Sequence, residues 1–198
     1  MKALEERILK EGRLLPGNIV KVDGFINHRV DVAFLRELAR EFKAHFGDKK
    51  PNVIMTVEAS GIPLATVCAE EFGVPMLFAK KAKSDNIEGG LLSSEIMSYT
   101  YNKRVTLIVS GEWLHEGDRV LIIDDFMARG EAMRGLARII KQAGAELVGI
   151  GIAIEKGYQG GGDGLRADGI DCYSLAIIEE SDGNEIRFRE RTQRKEMK

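Results

Sequence analysis

The stretch VLIIDDFMARGEAM, residues 120–133, constrains the fold of this chain more than any other feature of its sequence. Four apolar residues run directly into two carboxylates, Asp124 and Asp125, and a loop of small residues then leads into a periodic helix. An uninterrupted apolar run is typical of a strand that is buried on both faces, as in a parallel sheet. We therefore expect a strand, a loop and a helix of an α/β protein at this point.

Apolar periodicity alternates between the helical and the extended pattern along the rest of the chain. The helical pattern occurs at residues 1–11, VDVAFLRELAREFKAHFG, IPLATVCAEEFG and residues 131–142, the last three ending at Gly47, Gly73 and Gly144. In the second helix, the residues expected on the buried face are Val32, Leu35, Leu38, Ala39 and Phe42. The predicted strands are NVIMTVEASG, VPMLFAKK, RVLIID, LVGIGIAIEK and CYSLAII, with YQGGGDG as a glycine-rich connection. This order predicts an α/β fold, a mostly parallel twisted sheet flanked by helices on both faces.

Size and charge limit the classes of protein to which the chain can belong. Its 198 residues are enough for one α/β domain, which we expect to span residues 1–198, and too few for two domains of ordinary size. The 29 basic and 31 acidic residues are interspersed, so no broad basic surface is expected to attract nucleic acid. Cys68 and Cys172 lie in separate apolar runs, which favours reduced thiols over a disulfide. With no recognisable signal peptide or membrane span, we expect a soluble, cytoplasmic protein.

The loop after the two acids has the composition of a phosphate-binding loop. Ala128, Gly130 and Ala132 are small enough for backbone N–H groups to turn toward an anion at the start of a helix. Carboxylates beside such a loop suit a sugar, since they accept hydrogen bonds from vicinal hydroxyls. The alternatives are an ordinary turn whose acids face solvent, and an acidic pocket of the receiver type. No G-x-x-x-x-G-K-[ST] motif occurs in the chain.

At these motifs the chain resembles the type I phosphoribosyltransferases, whose signature is an apolar strand, two acids and a short phosphate loop. The resemblance extends over nearly the whole chain to the bacterial branch that uses xanthine. It is carried by KVDGFINH, VEASGIP, FAKK, ARGEA, KQAGAELVGIGIAIEK and SLA, in that order. The family resemblance implies a purine-salvage transferase that moves a phosphoribosyl group from 5-phospho-α-D-ribose 1-diphosphate to a purine base, with Mg²⁺ as its cofactor.

The resemblance also implies roles for individual residues. It assigns the ribose hydroxyls to Asp124 and Asp125, the 5′-phosphate to Ala128, Arg129, Gly130, Glu131 and Ala132, and the diphosphate to Ala59, Ser60 and Gly61. The catalytic residues would be Asp124, Asp125 and Lys80, with Lys80 or Lys81 near the leaving group. The two aspartates would reach the metal only indirectly, through the ribose and the diphosphate. For Ser60, a plain helix N-cap is the alternative.

Two mobile or accessory parts follow from the same resemblance. Residues 82–110 would form a lid that excludes water from a reactive sugar cation. Within this range LLSSEIMSYT and RVTLIVS are typical of an antiparallel hairpin, which could instead be an ordinary edge ribbon. A small hood over the base would come from about residues 1–30 and the C-terminal part.

The choice of purine depends first on Lys156, at the end of LVGIGIAIEK. A lysine has donors and no acceptor, so it can bind a 6-oxo group and not a 6-amino group, which disfavours adenine. The resemblance adds the amide of Asn27 for a 2-oxo group and Val20 for apolar contact. Without the resemblance, Lys156 would be a surface lysine and Asn27 a turn residue.

Two positions depart from the patterns of relatives. Ala128 stands where the hypoxanthine–guanine branch carries an aspartate that accepts the proton of the purine. Xanthine is the more acidic base and needs less help from a general base, so the alanine favours xanthine. Glu131 stands where relatives commonly carry a neutral residue, and its carboxylate is expected to point outward or to pair with Arg129.

We therefore expect an enzyme that makes xanthosine 5′-monophosphate from small-molecule substrates, without a nucleic-acid or membrane partner, and by resemblance a homodimer. An enzyme of the same chemistry that prefers guanine or hypoxanthine remains an alternative. A purine-responsive repressor of the same fold is another, but such repressors carry an N-terminal winged-helix segment, whereas here the βα pattern begins within the first few tens of residues. His28, His45 and His115 lack the spacing of zinc ligands or of a catalytic triad.

Overall fold

The computed structural model describes residues 1–15, 19–82, 90–98, 103–181 and 185–190. The helices are α1 (Lys2–Glu11), α2 (Val32–Phe46), α3 (Ile62–Phe72), α4 (Glu131–Gln142) and α5 (Gly161–Ala167). The strands are β1 (Arg13–Leu15), β2 (Ile19–Lys21), β3 (Val53–Val57), β4 (Met76–Ala82), β5 (Leu91–Ser98), β6 (Lys103–Ser110), β7 (Arg119–Met127), β8 (Glu146–Lys156), β9 (Cys172–Ser181) and β10 (Ile186–Phe188). Short 3-10 turns follow α2 and β8.

An eight-stranded sheet forms the centre of the molecule, in the order β10-β9-β8-β7-β3-β4-β6-β5. Strands β9, β8, β7, β3 and β4 run parallel, and β10, β6 and β5 extend the two edges antiparallel. The predicted α/β fold with a mostly parallel sheet is therefore confirmed. Chain order reverses between β3 and β7, and in such sheets ligands bind beyond the carboxyl ends of the strands at that point.

The sheet is covered on both faces, which explains the continuous apolar runs of its strands. In β7, Leu121 and Ile123 belong to a core with α1, α2 and α3, while Val120 and Ile122 belong to a second core with α4 and α5. Side chains alternate across a strand, so a run of apolar residues supplies both cores. In the described residues, no helix is both long and apolar enough to cross a bilayer.

Two local predictions need correction. Val32 is 46% exposed, whereas Phe34 is buried together with Leu35 and Leu38. Asp31 caps α2 by accepting a hydrogen bond from the Phe34 amide, so Val32 is the first helical residue and lies outside the buried stripe. The glycine-rich segment also differs, because residues 161–167 form the helix α5 rather than a plain connection.

The hairpin β5–β6 forms one edge of the sheet and is attached to α4. The Gln142 side chain accepts a hydrogen bond from the Ser93 amide at 3.2 Å and donates one to the Ser93 carbonyl at 2.9 Å. Arg138 Nε donates to Ser94 Oγ at 2.8 Å. The predicted hairpin is thus present as an anchored edge element. Residues 83–89 and 99–102 of the predicted lid lie outside the described residues, and lid closure and the hood remain predictions.

Candidate active site

A cleft of about 380 Å³ lies at the carboxyl ends of β3, β4 and β7, where the chain order of the sheet reverses. It collects segments that are far apart in sequence: the turn after β3, the end of β4, the end of β7 with its loop, and the end of β5 with the start of β6. The lining residues are Val57, Glu58, Ser60, Lys81, Ile96, Met97, Val105, Asp124, Asp125, Phe126, Met127, Ala128, Arg129, Gly130, Glu131, Ala132, Met133 and Gln159. Both predicted small-residue turns therefore open into one cavity.

The two acids at the end of β7 have different environments. Asp124 is 5% exposed and accepts a hydrogen bond from Thr56 Oγ1 at 3.3 Å. Burial, and next the charge of Asp125, raise the pKa of Asp124 well above its ordinary value. Asp125 accepts hydrogen bonds from Asn27 Nδ2 at 2.9 Å and from Ser60 Oγ at 3.0 Å. Asp125 is thus oriented by donors from two other loops and faces the cleft.

The turn after β3 approaches these acids very closely. A Cβ on Gly61 would lie 2.1 Å from Asp124 Oδ1 and 2.2 Å from Thr56 Oγ1, so only glycine fits there. The alternative role of Ser60 as the helix N-cap is not observed, because Gly61 occupies the N-cap position and Ser60 donates to Asp125. Glu58 Oε1 accepts a hydrogen bond from the Lys81 amide at 2.6 Å, which links the turn to β4.

The loop between β7 and α4 has the backbone shape of an anion site. Gly130 is the N-cap of α4 with φ of 80°, a conformation that favours glycine. The helix begins at Glu131, which leaves its first N–H groups without intrahelical partners beside the cleft. The predicted loop residues 128–132 all line the cavity, including Glu131 in the first helical turn.

The two lysines of β4 lie in different cavities. Lys81 lines the cleft, while Lys80 lines a separate cavity that also contains Phe78, Ile108 and Trp113. Successive residues of a strand point to opposite faces, so only one of the pair can face the substrates. The structure therefore brings Lys81, and not the predicted Lys80, to this site.

None of the three residues expected at the base lines the cleft. Asn27 contacts Asp125 directly. Val20 is buried in the core that contains α1, α2 and α3. Lys156 is half-buried at the end of β8, one residue beyond Glu155, which pairs with Met127 of β7. Burial lowers the pKa of Lys156. Lys156 therefore lies beside the start of the loop 128–132.

Several lining residues were not singled out from the sequence. Phe126 directly follows Asp125 and is half-buried, and this position next to the acids is the one sequence feature that could have indicated its place in the cleft. Ile96 and Met97 come from the end of β5, Val105 from the start of β6, and Gln159 from the 3-10 turn after β8. The hairpin itself was predicted, but which of its residues reach the cleft depends on the pairing of β6 with β4, which the sequence does not show.

The donor set can be tested against a magnesium ion. Among the described residues, no group of three or more His, Cys, Asp and Glu side chains could hold a metal. Mg²⁺ requires an octahedral set of oxygen ligands and usually keeps waters and substrate phosphate oxygens. The carboxylates of the described residues therefore fit an ion that would take most of its oxygen ligands from water and from a phosphate-bearing ligand, with Asp124 and Asp125 as indirect partners.

Comparison with known proteins agrees with this geometry. The sequence profile described as "Phosphoribosyl transferase domain" matches residues 31–183. The xanthine phosphoribosyltransferase of Bifidobacterium adolescentis is 49% identical over 192 residues, or 96% of this chain and 100% of that protein. The xanthine phosphoribosyltransferase of Ruminiclostridium cellulolyticum is 47% identical over 190 residues, with the same two coverages. The crystal structure of adenine phosphoribosyltransferase from Rhodothermus marinus shares the fold, with a TM-score of 0.74, 20% identity and coverage of 90% of this chain and 100% of that chain. The chain therefore belongs to the phosphoribosyl transferase family.

Proposed function

We propose that this protein transfers the phosphoribosyl group of 5-phospho-α-D-ribose 1-diphosphate to xanthine, releasing diphosphate and xanthosine 5′-monophosphate in purine salvage. One observation carries the proposal: the two acids Asp124 and Asp125, the turn at Gly61 and the loop 128–132 open into a single cleft. Two relatives that share 49% and 47% identity over nearly the full chain are xanthine phosphoribosyltransferases.

The 5′-phosphate binds to the backbone N–H groups of residues 128–132, where the dipole of α4 adds partial positive charge. The ribose hydroxyls then donate to the Asp125 carboxylate and displace the hydrogen bonds from Asn27 and Ser60. Held at both ends, the sugar presents C1 to the base, and positive charge develops at C1 as its bond to the diphosphate breaks. The carboxylates stabilise that charge through space.

The leaving diphosphate gains negative charge and needs donors and cations. The turn 59–61 supplies donors from one side and Lys81 supplies a positive charge from the end of β4. A bound Mg²⁺ would neutralise part of the charge of the diphosphate, and Asp124 and Asp125 would reach it only indirectly. The lid is proposed to close over this reacting centre and exclude water, because Ile96 and Met97 of β5 and Val105 of β6 already line the cleft.

The base would stack on Phe126, the aromatic side chain directly beyond the acids. Lys156 donates to a 6-oxo group, and its ammonium attracts the negative charge of ionised xanthine. Asn27, on the loop that contacts Asp125, and Val20, on β2 in the core, would complete the hood over the base. This donor pattern disfavours adenine and leaves guanine and hypoxanthine as the competing substrates.

Three further properties belong to the same proposal. The protein would be a homodimer of the cytoplasm, with small molecules and not nucleic acid as its partners. Trp113 is 66% exposed and, with the cavity beside it, offers an apolar surface for a second copy of the chain. Cys68 and Cys172 are buried and form no disulfide, as expected in a reducing compartment. Light scattering on the purified protein would give twice the chain mass if the dimer assignment is correct.

A spectrophotometric assay tests the substrate assignment. The purified protein is incubated with phosphoribosyl diphosphate, Mg²⁺ and, in separate reactions, xanthine, guanine, hypoxanthine or adenine. We expect the largest kcat/KM for xanthine and the smallest for adenine. The variant Lys156→Met should lose preference among the bases while it still binds ribose 5-phosphate. If adenine is the best substrate, the role of Lys156 is wrong.

A further inference from the structure

Helix α5 lies directly against the phosphate loop. A Cβ on Gly161 would be 2.3 Å from the carbonyl oxygen of Ala128, and 2.6 Å from both the carbonyl carbon of Arg129 and the amide nitrogen of Gly130. All three atoms belong to the loop backbone, so a side-chain movement cannot relieve the overlap. The absence of a side chain at position 161 therefore sets the distance between α5 and the loop.

A buried ion pair holds α5 to β8. Glu155 is completely buried, and its two carboxylate oxygens accept hydrogen bonds from Arg166 at 3.0 and 2.6 Å. The Ser174 hydroxyl donates to the same carboxylate. A Cβ on Gly162 would lie 2.1 Å from Glu155 Oε1, so the helix backbone also packs onto this group. A buried carboxylate is tolerated only with such partners, which makes the geometry of the pair specific.

The same helix is tied to the C-terminal strands. Asp163 accepts hydrogen bonds from Arg166 at 2.8 Å and from Arg189 at 2.7 Å, and Arg189 donates to Glu179 at 2.6 Å. The hydrogen bond from Arg189, followed by that from Arg166, lowers the pKa of Asp163 well below its ordinary value. The chain of alternating charges thus connects α5 to β9 and to the segment after β10.

We propose that α5 is a positioning element for the phosphoribosyl phosphate: the Glu155–Arg166 pair holds the helix, and the helix backbone at Gly161 fixes the loop 128–132. The inference rests on the proposed function, since it assumes that the loop binds the 5′-phosphate. Phosphate binding by N–H groups requires several of them to converge on one point, so a small displacement of the loop loses several hydrogen bonds at once. None of the named residues of α5 lines the cleft.

The test compares two identical substitutions in the same helix. Gly161→Ala places a methyl group against the loop backbone, whereas Gly164→Ala meets only the flexible end of Arg134, at 3.0 Å from Nη2. The measurements are the Kd for ribose 5-phosphate by titration calorimetry and the KM values for phosphoribosyl diphosphate and xanthine. For Gly161→Ala we expect the Kd and the KM for phosphoribosyl diphosphate to rise about 100-fold, because a displacement of about 1 Å can cost that much. The KM for xanthine should stay within about twofold, as should all three constants for Gly164→Ala.

A second variant keeps the proposal testable if Gly161→Ala does not fold. Arg166→Lys retains the positive charge but cannot bond both oxygens of Glu155, so we expect about a tenfold rise in the same two constants. A merely structural role would lower the melting temperature or the active fraction and leave both constants unchanged in the folded protein. Unchanged affinity for ribose 5-phosphate in folded Gly161→Ala or Arg166→Lys would overturn the proposal, as would an equal rise in the KM for xanthine. Wild-type protein that binds ribose 5-phosphate but does not use xanthine would refute the substrate assignment instead.

Discussion

The substitution Gly61→Ala should damage the proposed ribose site from a position that has no side chain of its own. The added Cβ would fall 2.1 Å from Asp124 Oδ1 and 2.2 Å from Thr56 Oγ1, well inside van der Waals contact with both. Asp124 and Thr56 are 5% and 0% exposed, so neither side chain can turn out into solvent. The turn, or the buried pair, must therefore move.

The expected cost follows from these contacts. Forcing a methyl group into a packed site costs about 1–3 kcal/mol, and separating the hydrogen bond between Thr56 and Asp124 adds about 1 kcal/mol. A total of about 3 kcal/mol corresponds to a melting temperature lower by about 6–12 °C in a chain of this size. Since the same shift disturbs the acids that are proposed to bind the ribose, the KM for phosphoribosyl diphosphate should rise by about tenfold or more.

Thermal denaturation and steady-state kinetics at saturating xanthine measure the two effects. Gly47→Ala is the matched control, because its Cβ would lie 3.8 Å from the Lys43 side chain and its φ of −56° suits any residue. That variant should be neutral or more stable by about 0.4–1 kcal/mol, through the lower entropy of its unfolded chain. A Gly61→Ala protein with wild-type melting temperature and KM would refute the close approach and the role derived from it.

Four further substitutions test the acids and lysines. Asp124→Asn should raise the melting temperature at neutral pH. The pKa of Asp124 in the folded protein is raised above its ordinary value of 3.8. Its contribution to stability is therefore present below pH 3.8 and is lost as the pH rises toward the raised pKa. The difference between variant and wild type, followed by scanning fluorimetry, should grow from about pH 4 upward, and a constant difference would contradict this. Asp125→Ala should weaken binding of ribose 5-phosphate by about 100-fold, since two hydrogen bonds to a charged group are lost; calorimetry with unchanged affinity would reject the ribose assignment. Lys81→Ala should lower kcat/KM by about tenfold or more, whereas Lys80→Ala should leave it within about twofold, and the reverse order would restore the role first given to Lys80.

Local patterns were sufficient where the structure itself is local. The run of apolar residues before Asp124, the small residues of the loop and the periodic helix after it all depend on neighbours in sequence. Consequently the bounds of α4 and the conformation of Gly130 agree with the pattern. The prediction for Val32 was wrong because the helical period gives the face on which a residue lies, but not whether another segment covers that face at the first position of the helix.

The sequence by itself determined a parallel α/β sheet whose buried strand delivers two acids to a loop of small residues, because side-chain period and turn composition act over a few residues. Only the tertiary structure decided that Lys81 and not Lys80 reaches the cleft, that Asn27 meets Asp125 across 98 positions of the chain, and that α5 lies against the loop at Gly161. These contacts depend on strand register and on the packing of distant segments. Both are set by the total burial and hydrogen bonding of the folded chain, and a stretch of neighbouring residues does not contain them.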